Sequence, residues 1–196
     1  MSALQNNQIQ TIEDWENLPE GTLSYFSSSQ IFNMSPTSWE HGAVQAKLTN
    51  WVINATEKTK SRIPKDFDEW LFITEASVRY EQGPSGFIHD IAGWKKSRWV
   101  PPNKKKHVIS ITSDWVCEIL SPTNSSKDCV DVRDILLLSK VPYYWIIDIN
   151  RKAIIVYSYE NQYKIAKIFN EKLSPKVKIE PFDEVISIEE LFSSLI

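Results

Sequence analysis

The sequence predicts a mixed α/β (α+β) fold, a mixed β-sheet flanked by helices, and three observations carry that prediction. A long stretch with apolar residues at helical spacing is followed by three apolar strand-like runs, WLFITEASVRY, GFIHDIAGW and WVCEIL. A second helical segment then leads into PYYWIIDI, a run of aromatic and β-branched residues of the kind that fills a sheet centre. An added hairpin near the C-terminus follows, and this order of helix, strands, helix, strand and hairpin indicates helices packed against one sheet. At 196 residues, 42% of them apolar, the chain is long enough for one ordinary core, and a single domain over residues 11–196 is expected.

Residues 1–10 are polar and read as a disordered N-terminus. TIEDWENL predicts a short helix with Thr11 as N-cap and Glu13, Asp14 and Glu16 in its first turn, where the helix dipole favours acids. LSYFSSSQIFNM reads as two short strands around a serine turn. SPTS then opens a helix whose Ala43, Val44, Leu48, Trp51, Val52 and Ala55 form one stripe. Pro64 ends that region, and Pro101, Pro102 and Asn103 mark a loop between the second and third strands. SPTNSSKD starts the helix through CVDVRDILLLSK. AIIVYSY and QYKIAKIF flank Glu160-Asn161 as the added hairpin, and SIEELFSSLI closes as a short amphipathic helix.

Composition excludes several classes. Charged residues at 24% describe a globular chain, not a disordered one. MSALQNNQIQ has neither a basic region nor an apolar segment, so no secretory signal is expected. No apolar run approaches the ~20 residues of a membrane helix, and a cytoplasmic location follows as the expectation. Cys117 and Cys129 are too few and too irregularly spaced for a disulfide framework or zinc site and read as reduced thiols. The net charge of −3 conceals an uneven distribution. From Ile91 to Ser113 there is no acid, but there are Lys95, Lys96, Arg98, Lys104, Lys105 and Lys106, leaving −9 on the rest.

Two acids interrupt the apolar strands. Strict alternation places Asp90 with Ile88 and Ala92, Glu118 with Val116 and Leu120, and His89 on the face opposite Asp90 as a packed or edge histidine. A buried, unpaired carboxylate is destabilising by several kcal/mol, so each acid needs a partner, a proton or a cation. Adjacent strands would bring the two together, and a hard divalent cation accommodates two such anions. Alternatively, either acid faces solvent at a sheet edge or pairs with an arginine such as Arg79; the residues alone leave both readings open.

HDIAGW resembles the P-D-hydrophobic-A-x-W/Y segment, and CEILSPT the E-V-L-S-P-S/T segment, of the Uma family of putative restriction endonucleases in the PD-(D/E)XK nuclease superfamily. VPYYWIIDI is similar to its V-P-x-Y-W-L-V-D-P strand, MSPTSWEH to its M-x-P-x-x-x-x-H helix entry with His41 in the histidine position, and PFDEVISIEELF to its closing helix. The resemblance covers roughly Thr11 to Phe192. It implies a restriction-endonuclease-like core in which Asp90 and Glu118 bind Mg2+ (Mn2+ as a substitute), with the Ile119 backbone carbonyl completing the protein ligands. Glu40 is either an outer acid holding water at the ion or a solvated helix-terminal charge. A homodimer is what relatives of this fold imply.

The sequence departs from that pattern at the cationic position. Leu120 stands two residues after Glu118, and aligning the family's helix on Asp128 and Val141 puts Val132, Leu136 and Lys140 where its Lys, Tyr and Gly belong. Lys127 and Arg133 are the nearby cations assigned to phosphate charge in its place, or else solvated surface. His107, in the basic loop, is expected to face solvent. The leading expectation is a Mg2+-dependent endonuclease acting on DNA, with the basic loop steadying the backbone. The alternative is a catalytically impaired member of the fold that binds DNA or protein. A third is hydrolysis of another phosphoester at the same site. The choice between DNA and RNA is not legible.

Overall fold

A computed structural model describes residues 10–63, 67–102, 107–120, 126–159 and 163–195, excluding the side chains of 126–131 and 163–166. Helix α1 (Ile12–Glu16) starts at Thr11, whose hydroxyl accepts from the Asp14 N–H while the Asp14 carboxylate accepts from the Thr11 N–H. This reciprocal cap explains so short a helix. Strands β1 (Ser24–Ser27) and β2 (Gln30–Asn33) pair through a turn with Ser28 and Ser29 at φ 51° and 59°. Two positive φ values match the twist of a two-residue hairpin. Helix α2 (Trp39–Arg62) is capped by Ser38 and buries Val44, Leu48, Val52 and Ala55 of the expected stripe.

Strands β3 (Trp70–Tyr80) and β4 (Ser85–Lys95) form the long central hairpin, followed by a 3-10 turn at Lys96–Arg98 and then β5 (Trp115–Leu120). Helix α3 (Ser126–Leu138) connects β5 to β6 (Tyr143–Asp148), the sheet's parallel pair, which a tight turn cannot join. Strands β7 (Ala153–Tyr159) and β8 (Tyr163–Asn170) are the expected added hairpin; its Glu160-Asn161 turn lies outside the described residues. The small pair β9 (Lys176–Lys178) and β10 (Val185–Ser187) precedes α4 (Ile188–Phe192) and was not legible in sequence. The sheet runs β2-β1-β4-β5-β6-β7-β8, with β3 on β4.

The sheet separates two cores. On one face, α2 packs Val44, Leu48 and Val52 against Ile91, Cys117, Ile119, Trp145 and Ile147, with α4 sealing the same side. On the other, Val132 and Leu136 of α3 meet Ala92, Trp94, Val116, Tyr144 and Ile146. Odd and even residues of β5 and β6 thus serve opposite cores, as a two-residue period requires. Each fully buried large apolar side chain contributes about 1.5–3 kcal/mol.

The β3–β4 hairpin breaks that period. Phe87 and Ala92 share the α3 core although five positions apart, while Ile91 belongs to the α2 core. The ladder runs from Trp70↔Lys95 to Thr74↔Ile91 and resumes at Ala76↔His89. Glu75, at φ 51°, and Asp90 fall in the gap. Strict alternation therefore fails at the residue it was used to place.

Candidate active site

The site forms where β4 and β5 part. Their ladder pairs Gly93↔Trp115, Ala92↔Val116 and Ile91↔Cys117, and the next residues are Asp90 and Glu118. Beyond that point the Ile119 N–H donates to Asp90 Oδ2 at 2.6 Å, so a side chain takes the place of a main-chain acceptor. The Asp90 backbone N–H in turn donates to the Glu118 carboxyl. Both side chains are largely buried, at 14% and 16% exposure, and each acts electrostatically on the pair.

Burial, followed by the charge of Glu118, holds Asp90 well above the usual carboxylate range; the Ile119 N–H opposes this and Glu75 adds to it. Burial raises Glu118 to about 8, opposed by the Asp90 N–H and reinforced by Glu75. No cation among the described residues offsets either carboxyl. Burial thus favours a proton or a cation on the pair.

His89 stands behind Glu118. It is fully buried, with Nδ1 in contact with Glu118 Oε1 and Nε2 2.7 Å from the Tyr80 hydroxyl. Burial lowers its pKa to about 3. The neutral ring that satisfies both contacts carries its proton on Nδ1, donates to Glu118 and accepts from Tyr80. His89 is thus packed, as expected, but on the glutamate; the phase slip in β4 puts it there.

Helix α2 supplies the opposite wall through residues one turn apart. His41 Nε2 lies 3.1 Å from Asp90 Oδ2. Burial lowers the His41 pKa while the charge of Glu75 raises it. The Gln45 amide donates to the Asp90 carbonyl and to Glu75 Oε1, both at 2.7 Å. Glu75 is exposed and lines a cavity of about 640 Å³ with Trp15, Ile88 and Trp99, so solvent reaches it more readily than the buried pair. His41 was visible only as part of the helix entry, and Gln45 and Glu75 carried no signal. Glu75 joins the site because of a backbone angle that sequence does not display.

The other expected residues are placed as follows. Ile119 is at the site, its N–H on Asp90; in a strand, the N–H and C=O of one residue face the same neighbour, so its carbonyl points toward β4 as well. Glu40 lies half-buried in the first turn of α2, with no hydrogen bond or ion pair to Asp90 or Glu118 among the described residues. Arg133 directs Nε and Nη2 to Asp134 Oδ1 at 3.1 and 2.9 Å and also interacts with Tyr157. Arg79 pairs with Glu13, Glu16 and Glu81, not with a site acid. Lys95 holds its ammonium 4.2 Å from the Trp70 ring, Lys96 pairs with Glu69 at 2.6 Å, and Arg98 pairs with Asp114. The described cations of the basic stretch thus have local partners. Lys104, Lys105, Lys106 and the Lys127 side chain lie outside the described residues. His107 is exposed, 3.7 Å from Glu20.

Val132 and Leu136, in the family's Lys and Tyr positions, are buried in the α3 core at 8% and 0% exposure. Lys140 has φ 55°, the left-handed conformation that explains a glycine there. The Lys140 N–H bonds to Leu137 O and the Val141 N–H to Leu136 O, both at 3.0 Å, closing α3 in a Schellman motif. The helix keeps the expected register without the lysine.

A mixed sheet with a helix on either face and a carboxylate pair where two central strands part is the frame of a restriction-endonuclease-like nuclease fold. The family model described as "Putative restriction endonuclease", Uma2, matches residues 9–192, and the chain belongs to that family. The chain is also similar to a crystal structure of a putative nuclease belonging to DUF820 from Anabaena variabilis ATCC 29413. The TM-score is 0.73 at 22% identity, over 95% of this chain and 99% of that one, a likeness of fold. No curated protein matches. Family and fold together support a nuclease-like function. No helix among the described residues is long and apolar enough to cross a membrane.

Proposed function

We propose that the protein is a divalent-metal-dependent endonuclease that hydrolyses phosphodiester bonds of DNA at Asp90 and Glu118. The observation that carries this reading is the buried carboxylate pair, raised in pKa by burial with no cation among the described residues to offset it. That donor set fits a hard divalent ion, whose charge replaces the protons. No three His, Cys, Asp or Glu side chains among the described residues form a ready metal group, so Asp90 would be the shared ligand, with Glu118 beside it and the Ile119 carbonyl on the same edge. Mg2+ or Mn2+ held there would lower the pKa of water and offset charge developing on a phosphodiester oxygen.

The chain's own residues prepare the site. The Ile119 N–H fixes one oxygen of Asp90. His89, backed by Tyr80, fixes Glu118, and Gln45 holds the main chain of Asp90 and the Glu75 carboxylate. Val132 supplies no charge to phosphate, so that role falls to Lys127, with Lys104, Lys105 and Lys106 on the DNA backbone. Arg133 is the second candidate, provided it releases Asp134. Glu40 remains a candidate for holding water outside the ion. A homodimer, by analogy with the fold, is tested by light scattering.

Supercoiled plasmid incubated with Mg2+ or Mn2+ tests the reading. We expect nicking that disappears in Asp90→Asn and Glu118→Gln. The buried Val132 favours a second reading, a nuclease-fold protein that binds DNA or protein without cleaving. Intact DNA binding with no nicking in either metal would establish it over the first.

A further inference from the structure

His41 is the one part of the site that neither the carboxylate pair nor its supports explain. Its ring is 1% exposed, and neither Nδ1 nor Nε2 makes a hydrogen bond to any described residue. Buried imidazole nitrogens normally find partners, and an orphan at a functional site requires a reason. Nε2 lies 3.1 Å from Asp90 Oδ2, within hydrogen-bond distance but without the alignment of a hydrogen bond. Oδ2 already accepts the Ile119 N–H.

Two donor atoms held near each other without bonding are typical of ligands sharing an ion. Metal–oxygen and metal–nitrogen bonds of about 2.0–2.2 Å put neighbouring donors of an octahedral shell roughly 3 Å apart. The observed separation has that value. Gln45, one helical turn on, ties α2 to the Asp90 main chain and so fixes the distance between the two donors.

We propose that His41 is a nitrogen ligand of the cation held by Asp90, so that the centre takes a first-row transition ion, represented by Mn2+, in preference to Mg2+. The proposal rests on the metal-dependent reading above. It follows from donor chemistry: Mg2+ demands oxygen ligands and dehydrates reluctantly, whereas imidazole is a good ligand for first-row transition ions. His89 is not an equivalent donor, because Glu118 and Tyr80 occupy both its nitrogens.

The test uses the full chain, stripped with EDTA and loaded with Mn2+ alone. Pulsed electron paramagnetic resonance should show coupling to a directly bound 14N, replaced by the 15N pattern in wild-type protein labelled with 15N-histidine. The coupling should be lost in His41→Gln. By calorimetry, His41→Gln should weaken Mn2+ binding about tenfold or more and Mg2+ binding less than about threefold. Bound Mn2+ without nitrogen coupling in the wild type overturns the His41 assignment and leaves the carboxylate centre standing. Equal losses for both ions do the same, reducing His41 to a group that positions Asp90. Nitrogen coupling retained in His41→Gln also overturns it, by moving the ligand to another histidine. Failure of the wild type to bind either ion overturns both readings. The labelled wild-type spectrum needs no variant, so a folding defect in His41→Gln does not remove the test.

Discussion

In the presence of EDTA, the protein should lose stability as pH rises from 6.5 to 8, against the usual trend for carboxylates. Glu118 has a folded-state pKa of about 8 against an ordinary 4.5, so between those values the native state holds a proton the unfolded chain has lost. Unfolding then releases a proton, and stability falls with pH until the folded pKa is passed. Asp90, raised in the same direction, adds to the slope. His89 acts oppositely: with a folded pKa of about 3 against 6.5, its contribution grows from pH 3 to 6.5 and is level above. His41, whose pKa burial also lowers, acts in the same sense as His89. Both effects fade within about one pH unit above 6.5, so the carboxyls set the direction of the change up to pH 8. One proton over 1.5 pH units amounts to about 2 kcal/mol. Urea unfolding at several pH values in this range measures it. Glu118→Gln should flatten the slope by more than half, because it removes one titrating group and the charge that raises the other. Saturating divalent ion should reverse the trend, since the carboxyls must lose their protons to bind it. A wild-type stability in EDTA that is level or rising across this range would refute the protonated pair.

Lys140→Gly, which removes the side chain from a residue at φ 55°, should stabilise the protein by about 0.5–1 kcal/mol in urea unfolding, and a loss of stability would contradict the strain assigned there. His89→Phe, a larger ring without nitrogens, removes the contacts to the Tyr80 hydroxyl and Glu118 Oε1, so a loss of roughly 2–5 kcal/mol is expected by the same measurement. A change under about 0.5 kcal/mol would show that neither contact contributes to stability. Gly86→Ala should lower stability by about 1–3 kcal/mol, because a Cβ there would lie 2.4 Å from the Trp15 ring of α1; unchanged stability would show that α1 moves freely. In nicking assays, Lys127→Ala should slow cleavage, and unchanged rates in both Lys127→Ala and Arg133→Ala would exclude a relocated cation.

The strands around the site were legible because each is a long apolar run, and the acids stood out against that background. Pairing Asp90 with Glu118 needed only that their strands be neighbours. What alternation could not supply was the phase slip opposite Glu75, which puts His89 on Glu118 and frees Asp90 to meet α2. The local partners of the described cations in the basic stretch were not legible either. Glu69, partner of Lys96, lies in the segment before β3, and Asp114, partner of Arg98, in the segment before β5, so fold topology alone brings those charges together. The β9–β10 pair is too short for periodicity to detect.

The Asp90 carboxylate replaces a rung of the sheet: where β4 and β5 stop exchanging main-chain bonds, its oxygen receives the Ile119 amide. Under the proposed function the same atom would serve as mortar and as reagent. Truncating it would loosen the seam and silence the chemistry together, and a dead alanine variant would leave the two failures indistinguishable. Asparagine retains an oxygen for the seam while removing the charge, so it is the substitution that separates architecture from reactivity.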